Sequence, residues 1–285
     1  MTNLDHFAIA VRDANAAGDQ YERLGFQVLP LMHHIELGSQ NRIVQLHDTY
    51  LELVGNFENC VPYLRDRMVP RFQCGEGLAI SSITCANLEI EQRRLATLRW
   101  QFDPIVNARR KVTMPDGSEE ETDSSCIYVW RPERLYSMLF FTEHLKPHTI
   151  WVSAFQRHPN TAQRVTALVY SSNEPQSDGA YAADLLGYAA VESSAARVLF
   201  KTPRGEQLEY LRPELVQDRY GLAAPPHCPR QPCLGIALSI EVVDLPTCGA
   251  ILKNNSVPHE ARGQRLRVAA AFAHGLVLDF HASDH

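Results

Sequence analysis

Two short segments bound the stretch of sequence that decides the fold: LDHFAIAV at residues 4–11 and YLELV at residues 50–54. Both are rich in the apolar residues that favour strands. Between them, Asp13 is placed to cap a helix and Gly25 stands where helices commonly end. The predicted elements, in chain order, are a strand at 4–11, a helix at 14–24, and strands at 26–33, 42–47 and 50–54. The stretch therefore predicts one βαβββ module.

The same order of elements returns in the second half of the chain. Residues 21–26 read YERLGF and residues 183–188 read ADLLGY, while LEL at 51–53 is matched by LEY at 208–210. A weaker copy follows each of these modules, and repetition of this kind indicates an architecture built from one repeated unit. The four predicted modules span residues 1–60, 76–145, 163–215 and 232–283. We predict an α+β protein with domains at 1–148 and 160–285.

Composition narrows the class of protein. The chain has 285 residues, of which 45% are hydrophobic and 21% charged, and its formal net charge is −6. These values are ordinary for a globular protein. The negative charge disfavours non-specific binding to nucleic acid or to an anionic membrane. The first residues have neither a basic nor an apolar leader segment, so we expect a cytoplasmic protein with no membrane segment.

Seven cysteines are scattered along the chain. They form no Cys-x-x-Cys pair, and Cys228 and Cys233 are a poor match to a zinc knuckle. We predict ordinary reduced thiols, several of them buried.

The residues of the first module resemble the vicinal oxygen chelate superfamily, and within it the glyoxalase-like proteins. The resemblance rests on LDH at 4–6, LGF at 24–26, and the run from His34 through Gly38 and Asn41 to YLEL at 50–53. It implies the glyoxalase/bleomycin resistance/dioxygenase fold, in which two modules pair into an incomplete barrel around one cavity. Four modules imply two such barrels, as in the extradiol ring-cleaving dioxygenases.

The resemblance also implies a metal site in the first barrel. His6 and Glu52 stand at motif positions on the first and last strands of a module, which are neighbours in this superfamily. The matching positions of the second module lack an imidazole or carboxylate, and His144 is the nearest substitute. Two histidines and one carboxylate suit a divalent metal such as Fe, Mn, Zn or Ni. Glu52 would double as catalytic base, as in the superfamily's isomerases. Alternatively, His6 and Glu52 are ordinary buried polar residues.

Other side chains are candidates for substrate binding. His34 and Asn41 could reach the mouth of the cavity, or lie in a solvated loop. Trp151 and His158 could form a lid, or pack between the domains. The candidate substrate-binding residues are His34, Asn41, Tyr50, Trp151 and His158.

A basic run, RRK at 109–111, is followed by EEE at 119–121. Opposite charges on two paired strands explain this pattern without any anionic ligand.

The residues of the second barrel are a poorer match to a metal site than those of the first. Glu209 and Asp279 match Glu52, but residues 166–167 and 235–236 offer nothing that matches His6. Because the dioxygenases hold their iron in the second barrel, ring cleavage loses support, and a structural role is expected for this half.

The sequence predicts a metal-dependent enzyme of lyase, isomerase or dioxygenase type acting on a small oxygen-rich substrate. The alternative is a metal-free, drug-sequestering binding protein that holds a planar ligand between aromatic residues. A homodimer is compatible with either function.

Overall fold

The computed structural model describes residues 2–283. The elements of its first half are β1 (Leu4–Ala10), α1 (Ala14–Arg23), β2 (Met32–His33), β3 (Gln40–Gln45), β4 (Tyr50–Gly55), α2 (Pro62–Met68), β5 (Gly77–Thr84), α3 (Leu88–Leu95), β6 (Gln101–Phe102), β7 (Val106–Asn107), β8 (Arg110–Thr113), β9 (Glu119–Thr122), β10 (Ser124–Trp130) and β11 (Met138–His144).

The second half repeats this order. Its elements are β12 (Ala162–Ser172), α4 (Pro175–Leu186), β13 (Glu192–Ser193), β14 (Arg197–Lys201), β15 (Gln207–Leu211), α5 (Pro213–Tyr220), β16 (Cys233–Val242), α6 (Leu245–Asn254), β17 (Glu260–Ala261), β18 (Arg265–Val268) and β19 (Val277–Ala282). Short 3-10 helices lie at Phe57–Asn59, Val69–Cys74, Pro132–Ser137, Pro147–Thr149, Gly221–Ala223 and Ala270–Phe272.

Each half forms one open sheet from two modules. In the first sheet the strand order is β2-β3-β4-β1-β5-β11-β10-β6, with β7 also on β10. Strand β1 pairs with β4 in parallel and with β5 antiparallel, so the two modules meet at β1 and β5. The second sheet has the order β13-β14-β15-β12-β16-β19-β18-β17, with β12 and β16 in the central places. The predicted α+β fold of four paired modules is confirmed.

Alternation along β1 separates the hydrophobic core from the cavity. Phe7 and Ile9 are fully buried in a cluster that also contains Leu168 and Tyr170 of the second sheet. Because side chains alternate along a strand, His6, Ala8 and Ala10 point to the opposite face, whereas a register shift between Leu4 and Phe7 leaves Leu4 in the core. The core therefore joins the two sheets, and the cavity of the first sheet lies on its other face.

One predicted strand is shorter than expected. The strand predicted at 26–33 is reduced to β2, because Pro30 has no N–H and only Met32 and His33 pair with β3. In the fourth module, β18 ends at Val268 and a 3-10 helix follows at Ala270–Phe272.

Cys74 and Cys228 form a disulfide across 154 residues of chain, with a Cα–Cα distance of 5.5 Å. The prediction that all seven cysteines are reduced is wrong for this pair. Sequence spacing cannot reveal two cysteines that only folding brings together. The thiols of Cys60, Cys85, Cys126, Cys233 and Cys248 are free.

Loss of this disulfide is expected to destabilise the protein, because a long closed loop restricts the unfolded chain. We expect Cys228→Ser to lower the free energy of unfolding by about 2–4 kcal/mol in urea denaturation. Cys85→Ser, which removes a free thiol, is the matched control and should change it little. Equal stability of wild type and Cys228→Ser under oxidising conditions would show that the disulfide does not form.

Among the described residues, no helix is both long and apolar enough to cross a membrane.

Candidate functional site

A cavity of about 40 Å³ lies on the inner face of the first sheet. Strands of both modules build its walls, and α2 contributes Leu64 and Met68 to its cover. One side is polar and the other, with Ile80 and Phe140, is apolar. The lining residues are His6, Ala8, His34, Leu37, Ser39, Tyr50, Glu52, Val54, Leu64, Met68, Ile80, Ala108, Arg110, Ser124, Cys126, Tyr128, Phe140 and Thr142.

Strands β1 and β4 bring His6, Tyr50 and Glu52 together. Their parallel register places His6 beside Tyr50 and Ala8 beside Glu52. The rings of His6 and Tyr50 stack with centroids 4.3 Å apart, and His6 Nε2 lies 3.9 Å from Glu52 Oε2. All three side chains are buried.

Glu52 is a buried carboxylate that is held ionised by its neighbours. Burial raises the pKa of Glu52, but His34, Arg110, His6 and Asn41 together outweigh it and leave the pKa below its ordinary value. The Asn41 amide donates to Glu52 Oε1, and Arg110 donates to the same oxygen across 3.5 Å. Oxygen Oε1 therefore accepts hydrogen bonds from both Asn41 and Arg110, while Oε2 faces His6.

Asp5 contacts His6 at Nδ1, the ring nitrogen that points away from Glu52. The distance between Asp5 Oδ1 and His6 Nδ1 is 2.6 Å. Burial raises the pKa of Asp5, but His144 and His6 more than reverse this and leave it well below its ordinary value. Because ionised Asp5 can only accept, His6 Nδ1 must donate and the Nε2 of neutral His6 carries a lone pair. When His6 is neutral, its Nε2 and Glu52 Oε2 are two acceptors that face each other at 3.9 Å, too far apart for a direct hydrogen bond.

His34 is a neutral member of the same cluster. Burial lowers the pKa of His34 to about 4, an effect that nearby Glu52 only partly opposes. Its Nδ1 lies 2.7 Å from Ser39 Oγ, and its Nε2 lies 3.4 Å from Glu52 Oε1. The Asn41 amide nitrogen also lies 3.5 Å from His34 Nε2, so the neutral ring has polar partners at both nitrogens.

His144 faces Asp5 rather than Glu52. Its Nε2 lies 3.2 Å from Asp5, and its Nδ1 lies 2.8 Å from Ser124 Oγ. Both ring nitrogens therefore have partners outside the space between His6 and Glu52. The three proposed metal ligands do not converge on one point.

Trp151 and His158 lie outside the cavity. Trp151 packs behind Tyr50, with ring centroids 6.0 Å apart. The Gln27 amide donates to His158 Nδ1, and His158 Nε2 donates to the Gln45 carbonyl. Both ring nitrogens thus bond to the backbone of the first module, which accounts for the burial of His158 without a ligand.

Arg110 is a member of the site that sequence reasoning missed. The predicted hairpin of opposite charges is present as β8 and β9, with Lys111 opposite Glu121. Along β8, however, Arg110 and Val112 are buried while Lys111 and Thr113 are exposed. The alternation with Val112 is the signal that could have placed Arg110 on the inner face. Arg110 Nε is buried and has no hydrogen-bond partner among the described residues.

The predicted metal site does not fit this arrangement. Among residues 2–283, no group of three or more His, Cys, Asp or Glu side chains is disposed to hold a metal ion. The negative charge of Glu52 is already compensated by Arg110. His6, His34 and Glu52 have suitable donor atoms, since both histidines turn Nε2 toward Glu52, but as placed they are not a metal-holding group either.

Comparison with known proteins agrees with this architecture. A family model described as "Glyoxalase-like domain" matches residues 4–185. No curated protein matches the chain. A hypothetical protein from Staphylococcus aureus is similar in structure with a TM-score of 0.69 at 8% identity, covering 99% of this chain and 100% of that one.

Two further structures share the fold. A xylose isomerase-like TIM barrel/4-hydroxyphenylpyruvate dioxygenase fusion protein gives a TM-score of 0.60 at 13% identity, covering 99% of this chain and 49% of that one. A mutant of 4-hydroxymandelate synthase from Streptomyces coelicolor gives a TM-score of 0.59 at 9% identity, covering 99% of this chain and 93% of that one. At these identities the likeness concerns the fold. The family model, which spans more than half of the chain, identifies it as a member of the glyoxalase-like domain family of the vicinal oxygen chelate superfamily.

Proposed function

We propose that the chain is a glyoxalase-like enzyme that transfers protons on a small, oxygen-rich organic substrate in the first barrel. The observation that carries this proposal is the distance of 3.9 Å between His6 Nε2 and Glu52 Oε2, which are two facing acceptors when His6 is neutral. Two acceptors repel each other unless a donor lies between them. A substrate hydroxyl or an acidic C–H next to a carbonyl is a donor of this kind.

His6 is the best-placed base. Asp5 fixes its tautomer and would stabilise the imidazolium that forms when Nε2 takes a proton, which is the usual role of a carboxylate behind a catalytic histidine. Glu52 Oε2, on the other side of the gap, would orient the donor, while the proton taken by His6 Nε2 either returns to the substrate or exchanges with solvent. The sequence-based hypothesis that Glu52 is itself the base stays open, and variants of each residue distinguish the two.

Arg110 supplies the complementary charge. Removal of a proton next to a carbonyl leaves negative charge on oxygen, and a preorganised cation in a dry site stabilises that charge strongly. Within residues 2–283, Arg110 Nε is buried without a hydrogen-bond partner, so a substrate oxygen would satisfy it. The apolar wall formed by Ile80 and Phe140 keeps water from the reacting atoms.

The cavity volume limits the substrate. About 40 Å³ is far below the roughly 300–1,000 Å³ of a pocket for a drug-sized ligand. Only the reactive end of a substrate fits unless α2 moves. Small hydroxy ketones, hydroxy aldehydes and 2-oxo acids are therefore the substrates to test first.

Solvent exchange tests this function without knowledge of the product. Each compound is incubated with the protein in D2O, and loss of the C–H signal is followed by proton NMR. We expect exchange at the carbon next to the carbonyl of at least one compound, well above the buffer rate. Binding without exchange across the panel would instead support the drug-sequestering class, and absence of both would contradict the proposal.

A metal-dependent form of the enzyme is the second candidate. His6 and His34 both turn Nε2 into the cavity, while Asp5 and Ser39 hydrogen-bond to their Nδ1 atoms. Histidines that bind a metal usually have such a partner on the other ring nitrogen, and this arrangement favours the metal-dependent form. With Glu52 these residues would hold Fe, Mn, Zn or Ni, provided that Arg110 releases the carboxylate. The metal would supply a Lewis acid for adjacent substrate oxygens.

Metal content decides between the two candidates. Protein purified without chelator is analysed for metals beside His6→Ala, His34→Ala and the exposed neighbour control His33→Ala. The metal-dependent form predicts near-stoichiometric metal that only the first two variants lose. Equal metal content in all four proteins would exclude this set of ligands.

A further inference from the structure

The second sheet encloses a much larger cavity than the first. Its volume is about 560 Å³, against about 40 Å³ in the first barrel. Its wall is dominated by charged side chains rather than apolar ones. The charged lining residues are Arg164, Lys201, Glu209, Arg219, Glu241, Arg265, Arg267 and Asp279.

At three positions where the first sheet has a ring-bearing side chain, the second sheet has a smaller or polar one, and this difference enlarges the cavity. Ala167 pairs with Gln207 two residues before Glu209, just as His6 pairs with Tyr50 two residues before Glu52. A stacked His–Tyr pair is thus replaced by Ala and Gln.

The third replacement lies on the opposite wall. Asp279 pairs with Ser239, as Phe140 pairs with Ser82 in the first sheet. Small or polar side chains therefore replace the three rings that fill the first barrel, and the space that they leave is lined by polar atoms.

The carboxylates of this cavity are already neutralised by arginines. Asp279 accepts two hydrogen bonds from Arg267, at 2.6 and 2.8 Å. Glu209 is bonded to both Arg197 and Arg219. Because Glu209 and Asp279 are buried, these charge-assisted bonds hold the floor of the cavity in place.

Positive charge remains after these pairs are made. Five of the eight charged lining residues are basic and three are acidic, a local excess of two in a chain whose net charge is −6. Lys201 and Arg265 are exposed, and their side chains have no ion pair within the described part of the chain. Thr166 and Ser239 add hydroxyl groups to the same wall.

We infer that the second barrel is a binding site for a small polyanion that carries carboxylate or phosphate groups. Lys201 and Arg265 would form ion pairs with the anionic groups. The arginines paired with carboxylates behind them would add positive electrostatic potential. Guanidinium and ammonium groups are the usual ligands of both anions. This site is independent of the proton-transfer site proposed for the first barrel.

Isothermal titration calorimetry in 150 mM NaCl tests this inference. The probes are citrate and inorganic pyrophosphate, which distinguish a carboxylate from a phosphate source, and glycerol is the neutral control. We expect saturable one-to-one binding of at least one polyanion and none of glycerol. The double variant Lys201→Ala/Arg265→Ala should weaken it at least tenfold, and it should fold normally because both side chains are exposed.

Two control variants define the site. Arg262→Ala removes a nearby exposed arginine that is paired with Glu260 and does not line the cavity, and Glu52→Gln alters only the first barrel. Both should bind the anion as wild type does. Absence of saturable binding of either polyanion, or equal weakening by Arg262→Ala, would overturn the inference.

Discussion

Replacing His6 with glutamine is expected to reduce enzyme-catalysed C–H exchange in D2O by at least about 100-fold, the lower end of what a positioned acid or base contributes. Glutamine retains a polar group of similar reach but has no lone pair that takes up a proton near neutral pH. The buried ring stack on Tyr50 is lost as well, so the fold of the variant is checked by its thermal unfolding. The readout is the initial exchange rate by NMR.

Matched variants separate catalysis from general damage. His33→Gln changes an exposed histidine beside the site and should leave the rate unchanged. Asp5→Asn keeps the shape of Asp5 but removes the charge behind His6, so it should reduce the rate less than His6→Gln and shift the pH profile. A rate in His6→Gln within a factor of about three of wild type would remove His6 from the role of base. In that case Glu52 would be the base, and Glu52→Gln should abolish exchange.

Replacing Arg110 with methionine is expected to destabilise the protein by about 3–5 kcal/mol, because removal of one partner leaves a buried charge uncompensated. Arg110 and Glu52 are both buried, so solvent does not replace the lost contact. Methionine has a similar volume, so the loss reports charge more than packing. Urea denaturation at pH 7 gives the value.

The double variant Glu52→Gln/Arg110→Met is the decisive comparison. It removes both charges, so its stability should return to within about 1 kcal/mol of wild type, as for other buried pairs replaced together. If the double variant is as unstable as Arg110→Met alone, the loss comes from packing rather than from the charge on Glu52.

The effect of pH on Arg110→Met has a defined sign. In the wild type the pKa of folded Glu52 lies below its ordinary value of 4.5. The ionised carboxylate therefore stabilises the folded protein above that pH, and this stabilisation is lost as the pH falls through the folded pKa. Without Arg110, burial would raise the pKa of Glu52. The variant should therefore become more stable relative to wild type as the pH is lowered from 8 to 5.

The fold could be predicted because each module repeats a complete local pattern. The alternation in LDHFAIAV placed His6 and Phe7 on opposite faces, and the repeat of YERLGF and YLEL showed that the unit occurs again. These signals are local, so one sequence contains them. The pairing of β1 with β4 followed from the resemblance to a known family.

The site was less accessible to sequence reasoning, because its contacts join distant segments. Arg110 comes from a hairpin 58 residues beyond Glu52, and its charge suggested a surface pair. Asp5 reaches both His6 and His144, although strand alternation alone places it away from His6. The disulfide between Cys74 and Cys228 is equally long-range.

The most direct test of the account is a crystal structure of the protein with an exchanging compound from the NMR panel. We expect a ligand oxygen or reacting carbon between His6 Nε2 and Glu52 Oε2, within about 2.6–3.2 Å of His6 for a donated hydrogen bond, and a second oxygen at Arg110. A ligand bound elsewhere, with His6 and Glu52 closed into a direct hydrogen bond, would contradict it.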